Sequence, residues 1–281
     1  MLRIAVPNKG SLAEPAAQLL GEAGYATRRD GRELVLADPD NDAEFFFLRP
    51  RDIALYVGSG TLDVGITGRD LLLDSRAAAA EVLPLSFAGS TFRFAAHPGT
   101  AAGAADLQGV RVATSYPGLV EDHLRAAGVV ADVVRLDGAV ETAVRLGVAD
   151  VIADVVETGS TLRAAGLEVF GEPILRSEAV LVRRRDAPEP DGLGVLVRRV
   201  QGVLVARQYV MVDYDVRREH AEAACAITPG LESPTVSPLA DPDWVAVRAM
   251  VPRAGTNRVM DELYDLGARA ILVTTIHACR I

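Results

Sequence analysis

The sequence predicts an α/β protein that closes with a smaller α+β domain. Three observations lead there. Short, uniformly apolar runs alternate with helical patterns as far as about residue 180, and strands of that kind are covered on both faces of a largely parallel sheet. A polar, Pro-bearing stretch over residues 183–192 then breaks the rhythm. Beyond residue 208 the order changes to strand, helix, strand, strand, helix, strand.

Each element has a local cause. Residues 2–6 form a buried-strand segment ended by Pro7. Ser11 with Glu14 three positions on has the spacing of a capping box, and Pro15, Ala16, Ala17, Leu19 and Leu20 continue a helix. Residues 45–48, 64–67, 110–114 and 151–156 read as further strands. They group into two strand–helix units, one before about Ser90 and one from there to about Val180. After the break, Val195, Leu196, Val200, Val203 and Leu204 share one helical face. Residues 209–216 are a strand, 219–226 a helix and 235–238 a short strand. Val245, Val247, Ala249 and Val251 alternate with the residues of the other face, the period-2 signature of a half-buried strand. Val259, Leu263 and Leu266 lie at helical spacing before Gly267, a C-terminal stop, and residues 270–276 close the chain as a strand. The order βαββαβ predicts a ferredoxin-like domain.

Composition narrows the function. A length of 281 residues predicts two or three domains at about 100–200 residues each. The 29 basic and 38 acidic side chains give a formal charge of -9, which argues against a nucleic-acid partner, since that needs a basic stripe. A local pocket for phosphates must then be built from a few placed cations and backbone N–H groups. Cys225 and Cys279 lack C-x-x-C spacing and are too few for a disulfide framework, which fits a reduced, cytoplasmic setting. No N-terminal run is long enough for a signal peptide, and no run of about 18 apolar residues occurs, so neither export nor membrane insertion is expected.

The most informative segment runs from Asp150 to Arg163, where an apolar strand leads directly into Thr158-Gly159-Ser160-Thr161 and a helical pattern. Free N–H groups at a helix start converge on an anion, a glycine lets the backbone approach, and hydroxyls add donors. Asp154 and Glu157 just upstream can accept hydrogen bonds from ribose hydroxyls or hold a phosphate-bound Mg2+. The plainer alternative is an N-capped helix after a buried strand. Two acidic residues in so apolar a run favour a functional site, because an unpaired buried carboxylate is costly.

The stretch over residues 147–166 resembles the phosphoribosyl pyrophosphate (PRPP) signature of the ATP phosphoribosyltransferases of histidine biosynthesis, and the resemblance spans the chain. Pro7-Asn8-Lys9-Gly10 is similar to that family's N-terminal substrate loop. Residues 47–53 (Phe-Leu-Arg-Pro-Arg-Asp-Ile) and 57–70 (Val-Gly-Ser-Gly-Thr-Leu-Asp-Val-Gly-Ile-Thr-Gly-Arg-Asp) resemble its nucleotide-side motifs. Residues 227–235 (Ile-Thr-Pro-Gly-Leu-Glu-Ser-Pro-Thr) resemble the regulatory-domain motif of its long form.

The residues read sensibly as one site. Lys9 places a cation beside N–H donors at Gly10, or is a solvated surface lysine. Arg49 emerges from a buried strand end and can fork two hydrogen bonds to phosphate, or it pairs with Asp52 or Asp70. Gly58, Gly60, Gly65 and Gly68 permit close backbone approach or are simple turns. Asp70 contacts ATP or Mg2+, or caps the helix that begins near Leu71. Tyr116 stacks on adenine or is a core aromatic beside a hinge. His97, His123, His220 and His277 are scattered and suggest neither a zinc site nor a triad.

The resemblance implies two periplasmic-binding-protein-like α/β lobes around a cleft plus a C-terminal ferredoxin-like (ACT-like) domain. Its boundaries are residues 1–91 for the first lobe with a return segment 181–208, 92–180 for the second, and 209–281 for the regulatory domain. It implies transfer of the phosphoribosyl group of PRPP to N1 of ATP with release of pyrophosphate, Mg2+ as cofactor, and no covalent nucleophile. PRPP falls to Asp154, Glu157, Thr158, Gly159, Ser160, Thr161 and Leu162, with Asp154 nearest the metal. ATP and polyphosphate fall to Lys9, Gly10, Arg49, Ser59, Gly60, Gly68, Asp70 and Tyr116. Histidine as inhibitor falls to Asp215, Leu231, Ser233, Thr235 and Ala270, in a homo-oligomer that moves between dimer and hexamer. At Asp215 and Ser233 a strand end and turn chemistry are the plainer alternatives. Two rival classes are a non-catalytic two-lobed small-molecule-binding protein, whose exported forms carry signal peptides, and an allosteric amino-acid-sensing subunit, which only the C-terminal domain supports.

Overall fold

The computed structural model describes residues 1–26, 33–156 and 159–280. In chain order come β1 (Leu2–Pro7), α1 (Ala13–Glu22), β2 (Val35–Asp38), β3 (Ala43–Leu48), α2 (Pro50–Gly58), β4 (Val64–Gly68), α3 (Arg69–Ser75) and β5 (Ala79–Pro84). Then follow β6 (Ser90–Ala96), β7 (Arg111–Thr114), α4 (Pro117–Ala126), β8 (Asp132–Arg135), α5 (Thr142–Arg145), β9 (Val151–Val156), α6 (Ser160–Ala164), β10 (Glu168–Ser177) and β11 (Ala179–Arg184). The rest is α7 (Leu193–Gln208), β12 (Tyr209–Arg217), α8 (Ala221–Ile227), β13 (Thr235–Pro238), β14 (Trp244–Pro252), α9 (Thr256–Asp265) and β15 (Arg269–Thr275).

Two sheets carry the first part. One has the order β2-β3-β1-β4-β11-β5, the other β10-β6-β9-β7-β8. In β1 the side chains of Ile4, Ala5 and Val6 are wholly buried, as a strand covered on both faces requires. Its neighbours β3 and β4 run parallel to it, and β7 likewise lies parallel to both β8 and β9. The remaining pairs, β2 with β3, β11 with β4 and β5, and β6 with β9 and β10, are antiparallel. The sheets are therefore mixed rather than largely parallel. Apolar runs mark the buried central strands, but their composition says nothing of the direction of the flanking ones. After β10 of the second sheet the chain returns as β11, which inserts between β4 and β5 of the first, so the chain passes twice between the sheets.

Helix α1 also departs from the expected start. The Leu12 carbonyl accepts the first helical bond, from Ala16 N–H at 3.1 Å, and Ala13 N–H donates to Gly10 O at 3.2 Å. Leu12 is thus the N-cap, and the Ser11–Glu14 spacing falls one residue short of a capping box.

By compactness the chain divides into Met1–Gly21 with Tyr25–Leu193, and Gly194–Ile281 with Glu22–Gly24. The division falls near the start of α7. Within the second unit, β12 to β15 form an antiparallel sheet ordered β13-β14-β12-β15, the ferredoxin-like arrangement. Val210, Val212, Tyr214 and Val216 of β12 and Val245, Val247, Ala249 and Val251 of β14 are buried against Ala224 of α8 and Leu263 of α9. Each such aliphatic or aromatic side chain contributes roughly 1.5–3 kcal/mol of transfer free energy. Gly267 takes φ +101 just after α9, as its stop signal requires. Among the described residues no helix is long and apolar enough to cross a membrane.

Candidate functional site

The chemistry-bearing residues of the first unit cluster at one edge of each sheet, the carboxyl ends of the parallel strands, where open α/β sheets bind ligands. β1 delivers Lys9 and Gly10, β3 delivers Arg49, and β4 delivers Gly68 and Asp70. From the second sheet, β7 delivers Ser115 and Tyr116, β8 delivers Asp137 and Gly138, and β9 carries Asp154 and leads to Gly159. Two adjoining cavities, about 250 Å³ and about 580 Å³, share Lys9, Pro50, Leu71 and Tyr116 as walls and form one cleft. Gly10, Gly68, Asp70 and Ser177 line the first, while Arg49, Arg51, Asp137 and Asp154 line the second.

Lys9 and Arg49 are exposed, and neither has an ion-pair partner among the described residues. Arg49 therefore does not pair with Asp52 or Asp70; it is the N-cap residue of α2 and its charge faces the cleft. Asp70 is the opposite case, with only 8% of its surface exposed. Its Oδ1 accepts the Leu71 N–H at 2.9 Å, and its own N–H donates to Ser177 Oγ at 3.0 Å. Burial pushes its carboxyl pKa up, and hydrogen bonds from Leu71, Ser177 and Tyr116 pull it partly back. Gly68 lets the Asp70 carboxylate lie against the backbone, and a Cβ there would force that side chain to shift.

Tyr116 is a core aromatic that also reaches the cleft. Its ring packs edge-on against Phe92, with centroids 5.1 Å apart, while also lining the cleft. The Arg51 guanidinium sits 4.8 Å over the ring, so one face is already covered and only the other is left for an adenine. Burial first, and then the Asp70 charge, hold the phenol far above its usual range, so it stays a neutral donor. Arg51 is held in turn by Asp74 at 2.9 Å, and the Asp74 side chain is 8% exposed. Sequence reasoning passed over Arg51, although it stands two residues from Arg49 in the same motif. It also passed over the Asp137-Gly138 turn, a dipeptide typical of loops after strands.

Asp154 is partly buried. Burial raises its carboxyl pKa, the Val155 N–H at 2.8 Å lowers it, and the Glu141 charge adds a further rise. Past the strand, Gly159 occupies the N-cap of α6 with φ +68, a left-handed conformation that favours glycine. Ser160 and Thr161 are exposed at the first turn, where backbone N–H groups lack helical acceptors. Leu162 differs from its assignment: its side chain is buried against Ala95, Val140 and Ile152, leaving only its backbone for a ligand. Glu157 and Thr158 lie outside the described residues.

Ser59 and Gly60 do not join this group. They follow the C-terminal end of α2, one helix length from Arg49, where carbonyls rather than N–H groups point outward. Ser59 Oγ is engaged with Tyr56 O at 3.0 Å and Thr61 Oγ1 at 2.9 Å, so both residues serve as a turn. Among the described residues no group of three or more His, Cys, Asp or Glu side chains is arranged to hold a metal ion.

In the second unit, Asp215, Thr235 and Ala270 line an open cavity of about 410 Å³ on the exposed face of the sheet, together with Asp213, Ser237 and Arg248. Leu231 and Ser233 do not line it; both are exposed in the loop before β13, and Ser233 Oγ contacts only Pro234 O at 3.4 Å. Asp213 and Arg248 are additions that period-2 alternation places on the same face as Asp215.

The family described as HisG, ATP phosphoribosyltransferase, matches residues 49–202, and the HisG C-terminal domain matches residues 206–278. An ATP phosphoribosyltransferase of Pseudarthrobacter chlorophenolicus is 69% identical over the full length of both chains, and one of Streptomyces avermitilis is 65% identical, also over all of both. Among solved structures, an ATP phosphoribosyl transferase (HisG:HisZ) complex from Thermotoga maritima matches with a TM-score of 0.63 at 25% identity. That match covers 73% of this chain and 98% of the other. With both parts of the sequence matched and relatives aligned from end to end, the chain belongs to the ATP phosphoribosyltransferase family, in the long form that carries the C-terminal domain.

Proposed function

We propose that the cleft binds ATP and PRPP side by side and joins them to N1-(5-phosphoribosyl)-ATP and pyrophosphate. The observation that carries this is the pair of cations, Lys9 and Arg49, that have no ion-pair partner among the described residues and line the same cavity as Asp154. The lone pair of adenine N1 forms the new bond to ribose C1 as the C1–O bond to pyrophosphate breaks. That displacement needs alignment of two polyanions and stabilisation of a cationic ribosyl centre, not a protein nucleophile. Lys9 and Arg49 neutralise polyphosphate, while Gly159, Ser160, Thr161 and the Leu162 backbone hold the 5′-phosphate, with Glu157 and Thr158 assigned to the same ligand. Asp154 orients the ribose hydroxyls. Gly10, Gly68, Asp70 and Tyr116 form the nucleotide side.

Mg2+ fits as an ion carried on the substrate. Asp154 and Asp137 alone give too few oxygens for its octahedral shell, so they hold it together with substrate phosphates and water. When bound it neutralises charge on the departing pyrophosphate. We assign residues 1–91 and 181–208 to one catalytic lobe, 92–180 to the other, and 209–281 to a domain through which histidine inhibits in a dimer or hexamer. Incubation with ATP, PRPP and Mg2+, followed by the absorbance of phosphoribosyl-ATP, tests the reaction. Turnover that is lost when PRPP is omitted is expected; no product and no PRPP binding would overturn the reading.

A further inference from the structure

Tyr116 is the N-cap residue of α4, yet its own side chain makes no capping bond there. The first N–H groups of a helix have no helical acceptors, so another group must meet them. Asp74, next to last in α3, does so: its Oδ1 accepts the Leu119 N–H, at the third position of α4, at 3.3 Å. The two helices follow strands of different sheets, α3 after β4 and α4 after β7. They come this close because Gly118 has no side chain; a Cβ there would collide with the Asp74 carbonyl oxygen, a backbone atom. The other carboxylate oxygen, Oδ2, accepts from Arg51 Nη1 at 2.9 Å, and the guanidinium so held lies 4.8 Å over the Tyr116 ring. One buried carboxylate is therefore joined to Tyr116 twice, to its backbone through the first turn of α4 and to its ring through Arg51.

We propose that Asp74 is a positioning residue for the transfer reaction, holding the Tyr116 ring so that the face opposite Arg51 is presented to the adenine of ATP. Asp74 lines neither cavity of the cleft, and both of its oxygens are engaged by protein donors, so it acts through Arg51 and Tyr116 rather than on a substrate. With the edge contact to Phe92 alone, the ring keeps torsional freedom that ATP would have to remove on binding. A cation fixed above it removes that freedom beforehand, which lowers the entropy lost when the nucleotide docks. This role rests on the reading of Tyr116 as part of the nucleotide side and adds what fixes its ring.

The test is steady-state kinetics of the full-length protein, with each substrate varied at saturating levels of the other. Asp74→Asn keeps the size of the side chain and an acceptor for Leu119 but gives up the ionic hold on Arg51. It is expected to raise the KM for ATP roughly 5- to 30-fold while moving the KM for PRPP by less than about twofold. Asp74→Ala loses both contacts and should exceed that. Arg51→Met should match Asp74→Asn, and the double variant should be no worse than either single one, because both cut the same chain of contacts. Arg51→Lys should recover part of the loss. In a Tyr116→Ala background, Asp74→Asn should have no further effect on ATP. Should Asp74→Asn fail to fold, Arg51→Met carries the same comparison at a side chain that is 40% exposed. Equal rises in both KM values, or an Asp74→Asn loss that persists without the Tyr116 ring, would overturn the positioning role and leave Asp74 a brace between helices. Wild-type protein that forms no phosphoribosyl-ATP would instead remove the nucleotide reading itself, and this role with it.

Discussion

The cleft and the C-terminal cavity place ionisable groups in opposite ways. In the cleft, Asp70, Asp154 and Tyr116 are drawn into the protein, where burial shifts their titration and neighbouring donors partly offset it. They come from loops and strand ends of two sheets, far apart in sequence. On the C-terminal sheet, Asp213, Asp215 and Arg248 stand on two neighbouring strands, and period-2 alternation alone brings them together. The first arrangement suits chemistry, where low dielectric strengthens every charge on a reacting centre. The second suits reversible sensing, where a ligand must enter and leave without dragging charges out of a core.

If that contrast is right, charge removal in the cleft has the larger effect. Lys9→Met should lower kcat/KM by about 10²-fold or more, measured by phosphoribosyl-ATP formation; a change under threefold would mean that the lysine is merely solvated. Asp215→Asn should weaken histidine inhibition by roughly 10- to 100-fold, read as the histidine concentration that halves the rate. Thr161→Ala should weaken PRPP binding by about 1–2 kcal/mol, one hydrogen bond, and unchanged PRPP affinity would count against the phosphate assignment. Tyr214→Phe tests the core beneath the sensing face. Its hydroxyl lies 2.7 Å from Thr228 Oγ1, which keeps a bond to Ala224 O at 3.1 Å, so denaturant titration should show a loss of only about 1 kcal/mol.

The smallest effect is a matter of sign. The Asp70 carboxyl is raised above its unfolded value of 3.8, so folding disfavours its ionised form. The cost is absent below the unfolded pKa, grows as pH rises through the folded one, and is complete above it. Asp70→Asn should therefore melt higher than wild type at neutral pH, with the gap closing in acid; a lower melting temperature at neutral pH would reverse the argument.

Legibility in the sequence followed burial only in part, because the central strands β6 and β11 went unread along with the edge strands. The strands over residues 2–6, 64–67 and 151–156 were readable because central strands are apolar throughout. β2, β5, β8 and β10 were not, since edge strands keep polar residues such as Glu81 and Asp132 that blur the period. The C-terminal domain was readable nearly element by element, because one wet and one dry face give clean alternation. Within the site, Gly159-Ser160-Thr161 and Ser59-Gly60-Thr61 look alike as letters. The first precedes a helix and presents N–H groups, whereas the second follows one and presents carbonyls. Composition does not carry that difference; position along the helix does. Arg51 escaped because a motif with two arginines does not say which one is free, and here the ion pair with Asp74 decides it.

The insertion of β11 between β4 and β5 reaches beyond the finished fold. Among the described residues β5 pairs only with β11, so while the ribosome is still making residues 85–178 this strand lacks that neighbour and β4 keeps an open edge. At about 5–20 residues per second that interval lasts on the order of seconds to tens of seconds. The sheet begun first is thus completed only after every strand of the second sheet has been made, and slow codons or a stalled ribosome in that stretch would prolong exposure of an aggregation-prone edge.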